Sequence, residues 1–343
     1  MKKNIFLLII SIIILFTSCN SEGEGIFFQI SQEVKQITSE ISELSVRQVV
    51  EVGSDVYALT GRKVWEKSGT GNWTDISKGN FIYYIVEYDG GTPTLYGVIN
   101  NDDTDLNDGK IMSFDGSTWN LEDNYNTDLH LIEANDTYVL VKGISGVDSV
   151  ATSSDPSNMP DNEAIIDFLI DGASHTGGTV NIFISADDLY GTTIGSLDSV
   201  TVPSPATKSG DFCAIAVDAS NYFYLTTSSG QIFRSIDNGA NWTLSGTISS
   251  DTPVSGSLAV VDIGDEFLII GTNIGYYEMN ISTLGSVVSP TETTSETEFA
   301  TAYPELSTSL INEVYPSVTP NVFYLATSNG LWLRNTDGTF SKQ

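Results

Sequence analysis

One aromatic-rich apolar strand pattern returns seven times along this chain, roughly every 40 to 55 residues. The clear copies are Tyr57-Ala58-Leu59-Thr60, Leu95-Tyr96-Gly97-Val98, Thr137-Tyr138-Val139-Leu140 and Phe223-Tyr224-Leu225-Thr226. Phe267-Leu268-Ile269-Ile270 and Phe323-Tyr324-Leu325-Ala326 follow, and Ile182-Phe183-Ile184-Ser185 is the loosest. A period in this range belongs to chains built from stacked or radially arranged supersecondary units.

From about Val46 each unit reads as an apolar strand, a turn, the aromatic strand, a Gly-rich turn, a third strand, a tight Asp/Gly/Asn turn and a short fourth strand. Between Ala214 and Leu244 this reading is plain. Ala214–Val217 and Tyr222–Thr227 are the first two strands, and Ser228-Ser229-Gly230 is the turn. Gln231–Ser235 is the third strand, Asp237-Asn238-Gly239 the next turn, and the fourth strand starts near Trp242. Four short strands per unit, repeated, describe the blades of an all-β propeller around a central channel. The last unit repeats this register at an offset of 100 residues, so that Phe323–Gly330 answers Phe223–Gly230 and Arg334 answers Arg234. The expected count is seven four-stranded blades over 46–343. Six and eight stay open, because Ile182–Asp187 reads equally as a second or a third strand. Ser153–Asn162 and Ser289–Glu298 are low-complexity insertions too polar to pack alone.

Met1-Lys2-Lys3 followed by an apolar run from Ile5 to Phe16 has the shape of a signal peptide, and the run is too short to span a bilayer comfortably. It ends in Phe16-Thr17-Ser18-Cys19, which resembles the bacterial lipobox, with Phe16 where that pattern prefers Leu. The resemblance implies cleavage before Cys19 and lipid attachment there. The chain then divides into a signal peptide (1–18), a lipidated tether with a short strand at Ile26–Ile30 (19–45), and the propeller (46–343). Ile37, Ile41 and Leu44 suggest a weak helix or irregular chain ahead of the first blade. Ring closure has two possible forms. Either Thr339–Lys342 is the last blade's own outer strand, or Ile26–Ile30 joins that blade.

Removing the first 18 residues takes away Lys2 and Lys3 and no acid, leaving 12 basic against 44 acidic residues and a net charge of −32. A field of that sign repels nucleic-acid phosphates and keeps a β-rich surface soluble. Cys213 is the other cysteine, in the apolar run Phe212–Val217, where it reads as a small buried hydrophobe.

Ser235-Ile236-Asp237-Asn238-Gly239-Ala240-Asn241-Trp242 resembles the Asp-box, or BNR repeat, with Asn241 in place of that pattern's Thr. Partial copies are Ser113-Phe114-Asp115-Gly116-Ser117-Thr118-Trp119, Asn335-Thr336-Asp337-Gly338-Thr339-Phe340 and Lys67-Ser68-Gly69-Thr70-Gly71-Asn72-Trp73. The resemblance implies structural turns. The carboxylate accepts backbone N–H bonds, the glycine supplies positive φ, and the indole buries between strands. Ser235, Asp237, Gly239, Trp242, Asp115, Gly116, Trp119, Asp337 and Gly338 are therefore assigned to the turns and not to catalysis.

Asp-box propellers include sialidases, whose sites need three arginines converging on a carboxylate. This chain has four arginines, Arg47, Arg62, Arg234 and Arg334, and lacks the early Arg-Ile-Pro signature of those enzymes. Two carboxylates suffice for other glycosidases, and the sequence nominates no pair. His130 and His175 stand alone without metal-ligand spacing. Asp103, Asp105 and Asn107 have the stagger of a calcium loop, but Gly109 comes one residue late and no Glu closes the loop, so a solvated hairpin tip is the simpler reading. No cofactor motif is present. The sequence thus points to an exported, lipid-anchored propeller with a binding or scaffold role and a protein or glycan ligand. The alternative is a glycan-binding or glycan-hydrolysing propeller with carboxylates and aromatics at one mouth. The expected location is the cell envelope outside the cytoplasm, at the outer membrane or cell surface.

Overall fold

The computed structural model describes residues 41–80, 82–89, 92–100, 109–125, 129–134, 137–144, 147–153, 164–166, 171–174, 180–184, 188–192, 200–248, 254–282, 291–292 and 297–343. The expectations placed on Cys19, Ile26–Ile30, Asp102–Asp108 and His175 lie outside these residues.

Seven antiparallel sheets of four strands follow one another along the chain, each in simple meander order. The first holds β1 (Val46–Val52), β2 (Asp55–Thr60), β3 (Lys63–Ser68) and β4 (Thr74–Asp75). The second holds β5 (Ile82–Asp89), β6 (Pro93–Asn100), β7 (Gly109–Phe114) and β8 (Trp119–Tyr125). The third runs from β9 (Leu129–Ala134) through β10 (Thr137–Ile144) and β11 (Val147–Ser153) to β12 (Ala164–Ile166). The fourth is β13 (Asp171–Ser174), β14 (Asn181–Ile184), β15 (Leu189–Thr192) and β16 (Val200–Val202). The fifth is β17 (Phe212–Val217), β18 (Phe223–Thr227), β19 (Gln231–Ser235) and β20 (Thr243–Thr247). The sixth has β21 (Val254–Asp262), β22 (Glu266–Thr272), β23 (Tyr276–Asn280) and β24 (Thr291–Glu292). The seventh has β25 (Ile311–Pro316), β26 (Phe323–Thr327), β27 (Gly330–Arg334) and β28 (Phe340–Lys342). Ile182–Ile184 lies in β14, so the open choice in the fourth unit resolves to a second strand.

The first strand of each sheet touches the first strand of the next, and β25 touches β1, so the seven innermost strands form a closed ring. They run in the same direction. Near their starts, Asn312 Nδ2 donates to Val46 O at 2.6 Å. Near their ends, Ser317 Oγ donates to the Glu51 carboxylate at 2.9 Å. The strand starts therefore gather at one mouth of the ring, called upper here, and the ends at the lower mouth.

Cores form between sheets, not within them. Tyr57, Leu59, Ile82 and Leu95 join the first and second blades. Tyr224, Ile232, Leu268 and Tyr277 join the fifth and sixth. Every blade thus buries both faces, which is why β18 and β26 are buried at all five positions and read as continuous apolar runs instead of alternating ones. Aromatic residues fill these seams because each removes a large apolar area from water. A helix inserted in the sixth-to-seventh connection, α1 (Thr297–Ala302), adds Phe299, and Tyr303 follows it, to a cluster with Tyr276, Phe323 and Phe340.

The C-terminal strand β28 pairs with β27 and completes the last blade, the first of the two closure forms the sequence allows. The seam between the last and first blades is polar at the ring. Val49 N donates to Glu313 Oε2 at 2.6 Å, and Glu51 N donates to Tyr315 Oη at 3.2 Å. Glu51 also accepts from Val318 N at 2.8 Å. Ile41–Glu43 is a single 3-10 turn where the sequence suggests a weak helix or irregular chain, and just beyond it Leu44 O accepts from Gly330 N at 2.8 Å.

The 100-residue correspondence fails at one point. Arg234 pairs with Tyr224, whereas Arg334 pairs with Phe323. The turn before β27 is one residue tighter, so Thr327 faces Gly330 directly, while Thr226 faces Ile232 across the longer turn before β19. A one-residue slip reverses the face of every side chain in a strand. Arg234 therefore lies over the Tyr222 ring at 4.5 Å, on the blade's forward face. Arg334 lies over Phe323 at 5.8 Å, on the backward face, and donates to Asn321 O. The two arginines are alike in sequence but not in place.

Candidate functional site at the upper mouth of the ring

Among the described residues, the innermost strands are bulged near their starts in five blades. The pairing with the second strand skips between Val46 and Gln48, Ile82 and Tyr84, Phe212 and Ala214, Val254 and Leu258, and Ile311 and Glu313. A bulge leaves its extra residue outside the ladder and re-aims it, and bulges concentrate at rims and beside binding sites. Arg47, Tyr83, Cys213 and Asn312 occupy the same bulged position around the upper mouth.

Just past the bulge, neighbouring blades are stitched by one repeated contact. A side-chain oxygen of one innermost strand accepts the second backbone N–H after the bulge in the next. Gln48 accepts from Ile85 N at 3.1 Å, Asp171 from Ile215 N at 3.0 Å, Ser257 from Val314 N at 2.8 Å, and Glu313 from Val49 N. Innermost strands have an open edge toward the channel, and these bonds satisfy donors that the ladder cannot. With that position held, the bulged residue above it is fixed in direction.

Between the first and second blades the bulged residues are Arg47 and Tyr83, and here the upper mouth concentrates cations and rings. Arg47 donates from Nη1 to Gly61 O at 3.1 Å in the turn between β2 and β3. Its guanidinium carbon lies 5.9 Å from the centre of the Tyr84 ring. Burial pushes the Tyr84 hydroxyl up from its ordinary value, and the Arg47 charge opposes that shift. Arg62, in the same turn as Gly61, lies 4.9 Å over the Tyr83 ring. Lys63 and Lys78 stand nearby, exposed, on segments tied together by Ile76 N to Val64 O and Ile82 N to Arg62 O, with Lys63 paired to Asp75 at 2.8 Å. Four cations thus lie together in a chain with a formal charge of −30. An arginine stacked on an aromatic ring keeps its planar fork oriented, ready for a carboxylate or another planar anion.

The lower mouth is acidic, and beside the closure seam its carboxylates are held by hydrogen bonds. Glu51 accepts from Ser317 Oγ and Val318 N, and the Tyr315 hydroxyl lies 3.5 Å from Glu87 Oε2. The Tyr315 hydroxyl thus meets the Glu87 carboxylate and the Glu51 backbone N–H, while the Glu51 carboxylate lies against the Tyr324 hydroxyl. Glu51 is 9% exposed, and its oxygens are taken up by the closure seam.

The turns resembling the Asp-box all lie between third and fourth strands, on the outer part of the blades. Asp237 Oδ1 accepts from Ser235 Oγ and Asn241 N, and its Oδ2 from Asn241 Nδ2 at 2.7 Å. Ser235 Oγ in turn accepts from Gly239 N. Asp115 accepts from Ser117 N, Thr118 N and Asn120 Nδ2, and Asp337 from the Thr339 N–H and hydroxyl. Bonds from Asn120, Asn241 and Thr339 hold the three carboxyls below the usual aspartate range. Gly116, Gly239 and Gly338 have φ of +88°, +82° and +83°, the left-handed region. Trp73, Trp119, Trp242 and Phe340 all pack into the seam with the preceding blade. Trp119 Nε1 reaches Ile76 O of the first blade at 2.9 Å. A Cβ on Gly97 would stand 2.9 Å from that indole, so only glycine leaves room for it.

Cys213 is half-buried, with its thiol pushed up by burial and by Asp211. Among the described residues no group of three or more His, Cys, Asp or Glu is placed to hold a metal ion. The sequence analysis singled out the outer turns and missed Arg47, Arg62, Tyr83 and Tyr84 as a set. The available signal was the scarcity of arginine, with two of four lying within one blade.

The chain matches no protein-family model and no curated protein. It is similar in structure to YCF48 bound to a D1 peptide, with a TM-score of 0.62 over 86% of this chain and 92% of that one, at 9% identity. YCF48 from Cyanidioschyzon merolae gives 0.58 at 10% identity, covering 85% and 95%. A chain of a mitotic checkpoint complex gives 0.58 at 10% identity, covering 88% and 96%. The fold is a β-propeller. At these identities the likeness concerns the fold alone, and the site must be argued from its own residues.

Proposed function

We propose that this chain is an exported, lipid-anchored propeller that binds a partner at its upper mouth and performs no chemistry on it. The observation that carries the binding role is the convergence of Arg47, Arg62, Tyr83 and Tyr84 from two adjacent blades onto one rim. Rigid scaffolds present recognition groups at such rims. The likeness to YCF48, whose structure holds a peptide, supports a binding use of this fold. Export and anchoring rest on the basic-then-apolar leader and on Cys19. Two or more acyl chains at one residue give stable attachment where a single chain does not. The protein would then sit in the cell envelope, outside the cytoplasm.

Two experiments test this. Membrane fractionation of cells making the full chain should find it with membranes, and Cys19→Ala should release it. A soluble wild-type chain would refute the anchor. A screen of the full chain against glycans and extracellular proteins should return a saturable ligand that Tyr83→Ser/Tyr84→Ser loses. A ligand that is turned over, or one unaffected by those changes, would refute binding at this mouth.

A further inference from the structure

We propose that residues 41–44 are a strap that closes the ring and fixes the start of β1 from above, and that the ring opens first where this strap lets go. The strap governs how the upper mouth is held, whatever the mouth binds.

The strap is a copy of a blade connector. Between the sixth and seventh blades the chain makes a 3-10 turn, Leu306–Thr308, with Leu306 buried. Ser309 N donates to Leu306 O at 3.2 Å, and Ser309 O accepts from Gly275 N, just ahead of β23, at 2.8 Å. The innermost strand β25 starts two residues after Ser309. Ahead of the first blade the same parts recur. Ile41–Glu43 is a 3-10 turn with Ile41 buried. Leu44 N donates to Ile41 O at 3.1 Å, and Leu44 O accepts from Gly330 N, at the start of β27, at 2.8 Å. The innermost strand β1 starts two residues after Leu44. The correspondence continues into the strands, where Val314 N and Val49 N meet the stitching oxygens of Ser257 and Glu313.

One difference separates the two. The sixth blade is joined to its connector by the chain itself. The strap precedes the first blade in sequence, so contacts alone, and no peptide link, join it to the seventh. Ile41 shares a buried cluster with Tyr324, Ala326 and Leu331 of the seventh blade and with Val46 and Val49 of the first. Glu43 Oε1 lies 3.6 Å from Lys342 Nζ, and an ion pair with so exposed a carboxylate holds little. Gly330 has φ of +96°, and a Cβ there would run into the Ser42 carbonyl oxygen, so the strap lies directly on that turn. Burial of Ile41 is then the main apolar hold on a segment without a covalent link to one of the blades it joins. Local opening starts at such segments. Arg47 follows Leu44 by three residues, so release of the strap frees the strand start that carries it.

The test is hydrogen exchange of the full chain, in detergent and without ligand. Ile41→Ser should speed exchange by roughly tenfold or more at the start of β1 and across β26 and β27, and leave β17 and β18 as in wild type. Two glycines with positive φ separate the strap from backbone strain. Gly330→Ala should loosen the same stretches, because its Cβ meets the Ser42 carbonyl. Gly338→Ala should leave β1 unchanged, since the nearest atom to a Cβ there is Arg334 Nη2 at 3.6 Å. Should Ile41→Ser fail to fold, the two alanine variants decide the matter alone. Faster exchange confined to residues 41–44 in Ile41→Ser, equal effects of the two alanine variants on β1, or a speed-up spread evenly over all seven blades overturns the strap.

Discussion

In the turn after β19, both oxygens of Asp237 are occupied by Ser235 and Asn241, a few residues away in the chain. At the upper mouth, Arg47 donates to Gly61 O and bonds and faces Tyr84 of the next blade. The first region uses charge to finish its own fold. The second holds charge in position between two blades, on an exposed rim. Buried or locked polar groups that are fully paired act structurally, whereas oriented groups with spare capacity can serve a ligand. By this measure the outer turns and the Glu51 seam are structural joints, and the rim between the first two blades is where the proposed recognition is to be tested.

The largest expected effect is on the structural side. Trp119→Ala should cost about 3 kcal/mol, because the indole fills the space over Gly97 and its Nε1 bond to Ile76 O ties two blades together. Urea unfolding measures it, and a loss near zero would mean that this seam does not hold the blades. Asp237→Ala should cost about 1 kcal/mol, the value of local hydrogen bonds to a carboxylate, and leave ligand binding untouched. A binding defect in that variant would erase the distinction between the two regions.

Acid should reveal the same carboxylates. Asp115, Asp237 and Asp337 sit below their unfolded values when folded, so their stabilisation is present above about pH 4 and is lost as pH falls through the folded value. Glu266 goes the other way. Burial and then Asp218 and Asp262 raise its value, so its charge opposes folding at neutral pH and protonation relieves it. Thermal melts across pH 2 to 7, an interval spanning ordinary carboxylate titration, should show Asp115→Asn/Asp237→Asn/Asp337→Asn with a shallower acid slope than wild type. Glu266→Gln should have a slightly raised melting temperature at pH 7. An unchanged acid slope in the triple variant would contradict the turn bonds. The smallest effect on stability belongs to Arg47→Gln/Arg62→Gln, under about 0.5 kcal/mol as for exposed charges. A large destabilisation there would make the mouth another structural joint.

The parts legible in the sequence are those whose chemistry is local. The aromatic second strands repeat because each blade buries both faces, and the Asp/Gly/Trp turns repeat because donor, acceptor and glycine lie within a few residues. The interblade stitches escape such reading. Gln48, Asp171, Ser257 and Glu313 play one part with four residue types, since the geometry asks only for an acceptor oxygen. The matched offset of Arg234 and Arg334 misleads because one turn is shorter by a residue, and that residue changes the face. The pairing of Arg47 with Tyr84 and Arg62 with Tyr83 forms only when the ring brings β1 and β5 side by side, so no run of letters announces it.

The most direct test of binding at the upper mouth is hydrogen exchange of the full chain with and without its ligand from the binding screen. Protection should appear at the start of β5, at the start of β1 and in the turn around Gly61 and Arg62, with the turns at Asp115, Asp237 and Asp337 unchanged. Protection confined to those outer turns, or to the lower mouth around Glu51 and Glu87, would contradict it.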